Sequence, residues 1–122
     1  LKASFDEGQP IFQQIAEMIE DGILNGSYEE DGQIMSTTQF SHLYHINPAT
    51  AVKGINLLVD NDILYKKRGL GMFVVPGAKA KILSKRRKTF YHDYVMKLLI
   101  EADKICLTTE DIIDMINNGL KE

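Results

Sequence analysis

The chain has 122 residues, 44% of them hydrophobic and 25% charged, with a formal net charge of −3. That balance excludes a disordered chain and describes a soluble globular protein of one ordinary domain, or a small domain with a short appendage. It is short for an enzyme that must enclose a substrate.

Pro10 to Asn25 reads as a helix. Pro10 suits the first helical position, where its missing N–H costs nothing. Ile11, Ile15, Ile19 and Ile23 fall four apart, and Met18 widens the stripe. Asn25-Gly26 is a stop, because glycine accepts the left-handed conformation at a helix end. Glu29-Glu30-Asp31-Gly32 follows as an acidic loop. Ser36-Thr37-Thr38-Gln39 is a capping box and opens a short second helix to about Tyr44, with Phe40 and Leu43 on its buried side. Asn47-Pro48 starts a third helix, Asn as cap and Pro at the first position. Val52, Ile55, Leu58 and Val59 form its apolar stripe, and it ends near Asn61-Asp62.

Ile63 to Lys67 and Met72 to Val75 are β-prone runs around Arg68-Gly69-Leu70-Gly71, a hairpin with two glycines at its tip. From Gly77 the composition shifts. Lys79, Lys81, Lys85, Arg86, Arg87 and Lys88 form a basic connector with no acid. It leads into a long helix, roughly Ile82 to Cys106. Tyr91, Tyr94, Val95, Leu98, Ala102 and Ile105 line one face, with Leu99 and Ile100 apolar beside it. Such a helix has more apolar surface than one neighbour needs. Thr108 caps a last helix whose buried side is Ile112, Ile113, Ile116 and Leu120, with Glu110 and Asp111 in the favourable first turn.

The expected fold class is therefore mostly α with a small β-hairpin: a winged helix-turn-helix over residues 1–76, then a two-helix dimerisation segment over residues 77–122. The net charge disfavours a nucleic-acid partner, but a DNA binder needs a basic face rather than a basic total. Ala49 and Ala51 flank Thr50 on the first turn of the third helix, and small side chains there let a helix end sink into the major groove. Lys66, Lys67 and Arg68 lie on the hairpin, where Gly69 and Gly71 permit close approach to DNA. Tyr91, Tyr94, Val95, Leu98, Leu99 and Ala102 are the candidate dimer seam.

Three segments resemble the GntR family of bacterial regulators. Pro10-Ile11-Phe12-Gln13-Gln14-Ile15 opens like it. Ile46-Asn47-Pro48-Ala49-Thr50-Ala51 and Tyr65-Lys66-Lys67-Arg68-Gly69-Leu70-Gly71-Met72-Phe73-Val74 look like its YtrA subfamily. The resemblance covers about residues 10–75, and the short two-helix tail fits that subfamily. It implies a repressor that binds a pseudo-palindromic operator in double-stranded DNA as a homodimer. By position, Thr38, Asn47, Ala49, Thr50 and Lys53 match the family's helix contacts, and Arg68 and Gly69 its wing contacts; Ser36, Thr37, Lys66, Lys67 and Gly71 complete the expected DNA contacts. The chain departs from the family where Pro-Ser-Glu-Arg is common. Here Met35-Ser36-Thr37-Thr38 stands instead, and Lys53 is the one cation of the recognition helix. Either readout then rests on Thr, Asn, methyl contacts and DNA shape, or affinity is modest.

Other chemistries find little support. His42 and His45 are three apart, but no carboxylate or thiol nearby in sequence completes a metal site, and His92 stands apart. Gly69 and Gly71 precede no helix, so they make no nucleotide loop. Glu29-Glu30 has no partner base for catalysis. No enzyme activity, cofactor or metal is expected. Cys106, the single cysteine, reads as a small buried hydrophobe, and one thiol with no leader pattern suits the cytoplasm. No apolar run approaches the ~20 residues of a membrane span. Two helices cannot wrap a small molecule alone, so any effector would sit at the dimer interface. A second reading has the basic wing docking an acidic protein partner.

Overall fold

The computed structural model describes residues 8–119. Its elements in chain order are α1 (Ile11–Leu24), α2 (Thr37–Tyr44), α3 (Pro48–Asp60), β1 (Leu64–Lys67), β2 (Gly71–Val74), α4 (Ala78–Phe90), a π turn (Tyr91–Val95), α5 (Met96–Lys104) and α6 (Thr109–Gly119). The expected class, mostly helical with one hairpin, is what forms. The chain makes two compact units that divide between Ser84 and Lys85.

In the first unit, α1 begins one residue later than the sequence suggests. Pro10 is the N-cap, with extended ψ of 140°, and its carbonyl accepts the N–H groups of Gln13 and Gln14. Ile15, Ile19 and Ile23 are buried as expected, but Ile11 is 42% exposed and leaves the stripe. Ser36 and Gln39 form the reciprocal capping box: Ser36 Oγ accepts the Gln39 N–H at 3.1 Å, and Gln39 Oε1 accepts the Ser36 N–H at 2.8 Å. Phe40 fixes α2 to the core, fully buried. Leu43, by contrast, is 54% exposed rather than on the buried side. Asn47 caps α3 through Oδ1, which accepts the Ala49 N–H at 2.8 Å, and Pro48 takes the first helical position.

β1 and β2 pair antiparallel, Leu64 opposite Val74 and Lys67 opposite Gly71. The acidic loop does more than connect. Asp31 N–H donates to the Val74 carbonyl, Val74 N–H to the Gly32 carbonyl and Ile34 N–H to the Met72 carbonyl, and Gln33 bridges to Phe73. This segment covers the outer edge of β2. One core joins Ile15, Ile19 and Ile23 of α1, Phe40 of α2, Ile55 and Leu58 of α3, Leu64 and Val74 of the hairpin, and Ala78 and Ile82 of α4. The start of α4 at Ala78, four residues before the expected start, follows from that docking.

α1 and α3 meet at Gly54, where a Cβ would stand 2.7 Å from the Phe12 carbonyl oxygen and 3.0 Å from Ile15 Cγ2. Gly54→Ala therefore gains about 1 kcal/mol of helix propensity but incurs about 1–3 kcal/mol of overpacking against backbone. The expected result is a lower urea midpoint with an unchanged m-value. A midpoint at or above the parent's would show that the two helices separate at little cost.

In the second unit, the long helix is interrupted by the π turn at Tyr91–Val95. A π turn inserts about one residue into the helical period, so the face counted from Tyr91 and Tyr94 does not continue in simple register to Leu98 and Ile105. α5 ends in a Schellman motif: Leu107 N–H reaches the Ala102 carbonyl, and Cys106 N–H the Asp103 carbonyl. Cys106 takes the left-handed position, φ 62°, and is exposed rather than buried. Thr108 caps α6 as expected, its Oγ1 accepting the Asp111 N–H at 3.1 Å while Asp111 Oδ2 accepts the Thr108 N–H at 2.9 Å. The Thr108 N–H, and after it the Thr108 hydroxyl, favour the ionised carboxylate and hold the Asp111 carboxyl below its ordinary range.

Ala102 and Ile112 are the buried apolar residues of this unit among those described. Ile113 and Ile116 are 50% and 56% exposed, against expectation, and Leu120 lies outside the described residues. No helix among the described residues is long and apolar enough to cross a membrane.

Candidate nucleic-acid interface

α2 and α3 are joined by a three-residue turn, His45-Ile46-Asn47. His45 adopts the left-handed conformation, φ 53°. Ser41 Oγ donates to the Ile46 carbonyl at 2.7 Å, and Ile46 N–H returns to the Ser41 carbonyl at 3.1 Å. These bonds, with Phe40 beneath, fix how α3 leaves the turn.

α3 buries Ala51, Gly54, Ile55 and Leu58. Its opposite face exposes Ala49, Val52, Lys53 and Asn56, which recur at the spacing of one helical face. Val52 was expected in the apolar stripe, yet it is 40% exposed, because α1 and α2 occupy the other side of the helix. Val52 and Asn56 are thus members of the presented face that the sequence reading missed. Asn56 was findable, since it lies seven residues after Ala49. An asparagine there suits the donor–acceptor pair on adenine, and a valine suits a thymine methyl. Thr50 is half-buried, and Thr38 is exposed on the first turn of α2.

Lys53 does not project freely. Its Nζ lies over the Phe12 ring of α1, 4.1 Å from the centroid. The ammonium is held where α1 and α3 meet, a fixed charge rather than a roaming one.

The wing is built around a turn in which Leu70 N–H donates to the Lys67 carbonyl at 2.9 Å. Gly69 needs its positive φ of 79° there. Gly71 has φ 127° and a second constraint: a Cβ would stand 2.7 Å from Gln33 Nε2. That amide donates to the Leu70 carbonyl at 2.6 Å, so Gln33 props the wing tip. Gln33 carried no sequence signal, because its role depends on the strand-like pairing of residues 31–34. Tyr65 and Phe73 stack across the hairpin, centroids 5.9 Å apart, and Lys67 Nζ sits 4.4 Å from the Phe73 centroid. Tyr65 OH donates to Asp31 Oδ1 at 2.8 Å, and this bond with the nearby carboxylate raises the phenol above its ordinary pKa. Lys66, Arg68 and Leu70 are exposed at the tip.

Every candidate contact from Ser36 to Gly71 therefore lies in the first unit, on α2, the turn, α3 or the wing. Tyr91, Tyr94, Leu98 and Leu99 are exposed in the second unit, Val95 is half-buried and Ala102 is buried. Phe90 and Tyr94 pack ring to ring at 5.3 Å. No group of metal-ligating side chains stands together among the described residues.

Comparison with known proteins follows the same outline. No family model matches the sequence, and no curated protein matches it. Solved structures do. A transcriptional regulator of the GntR family from Bacteroides thetaiotaomicron is 32% identical over 91% of this chain and 96% of that one, with a TM-score of 0.72. A GntR family regulator from Listeria monocytogenes shares the fold at 23% identity, covering 93% of this chain and 98% of that one, with a TM-score of 0.74. The DNA-binding domain of AraR, solved in complex with operator ORX1, matches 62% of this chain and 92% of its own at 26% identity and a TM-score of 0.54.

Proposed function

This chain belongs to the GntR family of transcriptional regulators, and from that membership we propose that it is a cytoplasmic, YtrA-like repressor that binds a pseudo-palindromic operator as a homodimer. Residues 1–76 would bind DNA and residues 77–122 would pair the protomers. The carrying observation is the exposed face of α3, Ala49, Val52, Lys53 and Asn56, in the same unit as a wing that exposes Lys66 and Arg68 beside Gly69. Small and amide side chains on α3 read base edges, while the wing supplies phosphate contacts. Ser36, Thr37 and Thr38 bring the N-terminal turn of α2 to the backbone. The relative solved on operator DNA supports the reading for the first unit.

The second unit supports the pairing. Ten large apolar side chains between Phe90 and Ile116 are 38–66% exposed, while Ala102 and Ile112 alone are buried among its described apolar residues. A segment of this size with so little core needs a partner, and in this account a second copy supplies it. Any small-molecule effector belongs at that seam, near a cleft of about 400 Å³ lined by Leu99, Asp103, Cys106 and Thr108.

The test is fluorescence anisotropy with the duplex upstream of the chain's own gene against a random duplex. Roughly 10³-fold preference is expected of a specific site, and equal binding in low salt would sink the proposal. Within it, Lys67→Ala combined with Arg68→Ala should flatten the dependence of log K on log salt by about 2. Salt-series titrations measure this directly. Binding that survives with an unchanged slope would remove the wing from the mechanism.

A further inference from the structure

The charge of this chain is segregated. From Ile63 to His92 there are nine of its 14 Lys and Arg residues and none of its 17 acids. The wing accounts for three of the nine. The other six lie on α4, a helix of 13 residues. We propose that the C-terminal half of α4 is a second, sequence-independent contact surface for DNA phosphates, made by Lys85, Arg86, Arg87 and Lys88. The inference rests on the DNA-binding reading and extends it beyond the winged helix.

Several observations carry it. Solvated helices usually mix acids and bases at three- and four-residue spacing, and α4 has no acid at all. Lys81 and Lys85 stand four apart and Lys85 and Lys88 three apart, like charge beside like charge. Lys79 and Lys81 occupy the N-terminal turns, where the helix dipole disfavours cations. Lys81 reaches outside the helix for an acid, Asp62 at 3.8 Å. A helix with this one-signed charge pattern suits a polyanion.

The root of α4 is also fixed. Glu30 Oε1 accepts the Gly77 N–H at 2.8 Å, and Ala78 and Ile82 are fully buried in the same core as Val74 of the wing. The first turns of α4, through Ile82, are therefore part of the core of the first unit. The helix's chemistry favours nucleic acid over a lipid surface. Membrane-surface helices pair a basic face with a broad apolar one, whereas Ile82 is consumed by the core and cations occupy most of the remaining surface.

The experiment compares the full chain with Lys85→Gln/Arg86→Gln/Arg87→Gln/Lys88→Gln on a random duplex of roughly 40 base pairs and on the upstream duplex, in a salt series. Each lost phosphate contact flattens the log K against log salt slope by about 0.9. The expected result is a slope shallower by about 2–4, with affinity at moderate salt falling about 10-fold on both duplexes alike. Arg86→Lys/Arg87→Lys, which keeps the charge, should retain the parent slope. If the fourfold variant loses helicity by circular dichroism, Arg87→Gln/Lys88→Gln carries the same test with a change of about 1–2. Parent-like slope and affinity in a folded variant overturn the proposal while leaving the winged-helix reading intact. A parent chain that binds neither duplex overturns both. Loss of binding to phosphatidylserine vesicles with DNA slopes unchanged assigns α4 to a membrane instead, and overturns it as well.

Discussion

Leu98→Glu is expected to leave each protomer folded yet dissociate the dimer, and to weaken operator binding by about 10²–10⁴-fold through the lost second half-site. Leu98 is 45% exposed in the single chain, so the substitution removes little from the protomer's own packing. In a dimer that uses this face, the same carboxylate is buried without a partner, which is costly. Sedimentation velocity reads the first effect and anisotropy on the operator reads the second. A variant that remains dimeric and binds normally places the seam on another of the exposed side chains, such as Ile113 or Ile116. The two units differ in how far each closes a core of its own. In the first, apolar side chains of four helices and a hairpin close around Phe40 and Ile55, whereas the second leaves Tyr91, Tyr94 and Leu98 in solvent.

Phe40→Ala carries the largest effect on stability. Phe40 is fully buried, packs against Tyr44 at 5.6 Å between ring centroids, and is the sole buried residue of α2. Truncating such a ring typically costs about 3–5 kcal/mol, against a total of about 5–15 kcal/mol for a small domain. The expected outcome is a large fall in the denaturant midpoint and partial unfolding at physiological temperature. Because α2 has so little else to hold it, the turn that aims α3 should be lost first, which hydrogen exchange of His45 and Ile46 would report. A loss below about 1 kcal/mol would show that α2 is held chiefly by its cap, which is worth about that much.

The parts of this fold legible in the sequence are those set by local chemistry. Ser36 with Gln39, Asn47 with Pro48, and Gly69 each answer to hydrogen bonds or backbone angles within a few residues. What escaped the sequence answers to distant partners. Residues 31–34 lack any strand pattern and are drawn beside β2 by backbone bonds to Met72 and Val74. Leu43 and Val52 look like core residues, but their exposure was decided by where α1 and α3 pack. The π turn at Tyr91–Val95 is invisible to a count that assumes an even helical period. α3 and α5 end on Asp62 and Cys106 in the left-handed conformation, where glycine is the usual signal, so Cys106 passed for the last buried residue of a helix that ends before it.

The candidate interface divides the same way. Arg68 and Gly69 announce a wing, and Asn47-Pro48-Ala49-Thr50 announces a recognition helix. Gln33 as the prop of the wing tip, Phe12 as the seat of Lys53, and Val52 and Asn56 as presented side chains emerge from packing. With one cation on α3, held against an aromatic ring, the charge available for phosphates is concentrated on the wing and α4. Base reading is left to amide and methyl groups.

Selection from a randomised duplex library tests that account most directly. It predicts enrichment of a pseudo-palindrome whose half-sites lie about one helical turn, ~34 Å, apart or at a multiple of it, with Asn56→Ala changing the preferred base at one position of each half. No enriched sequence, or a single half-site bound by one protomer, would contradict it.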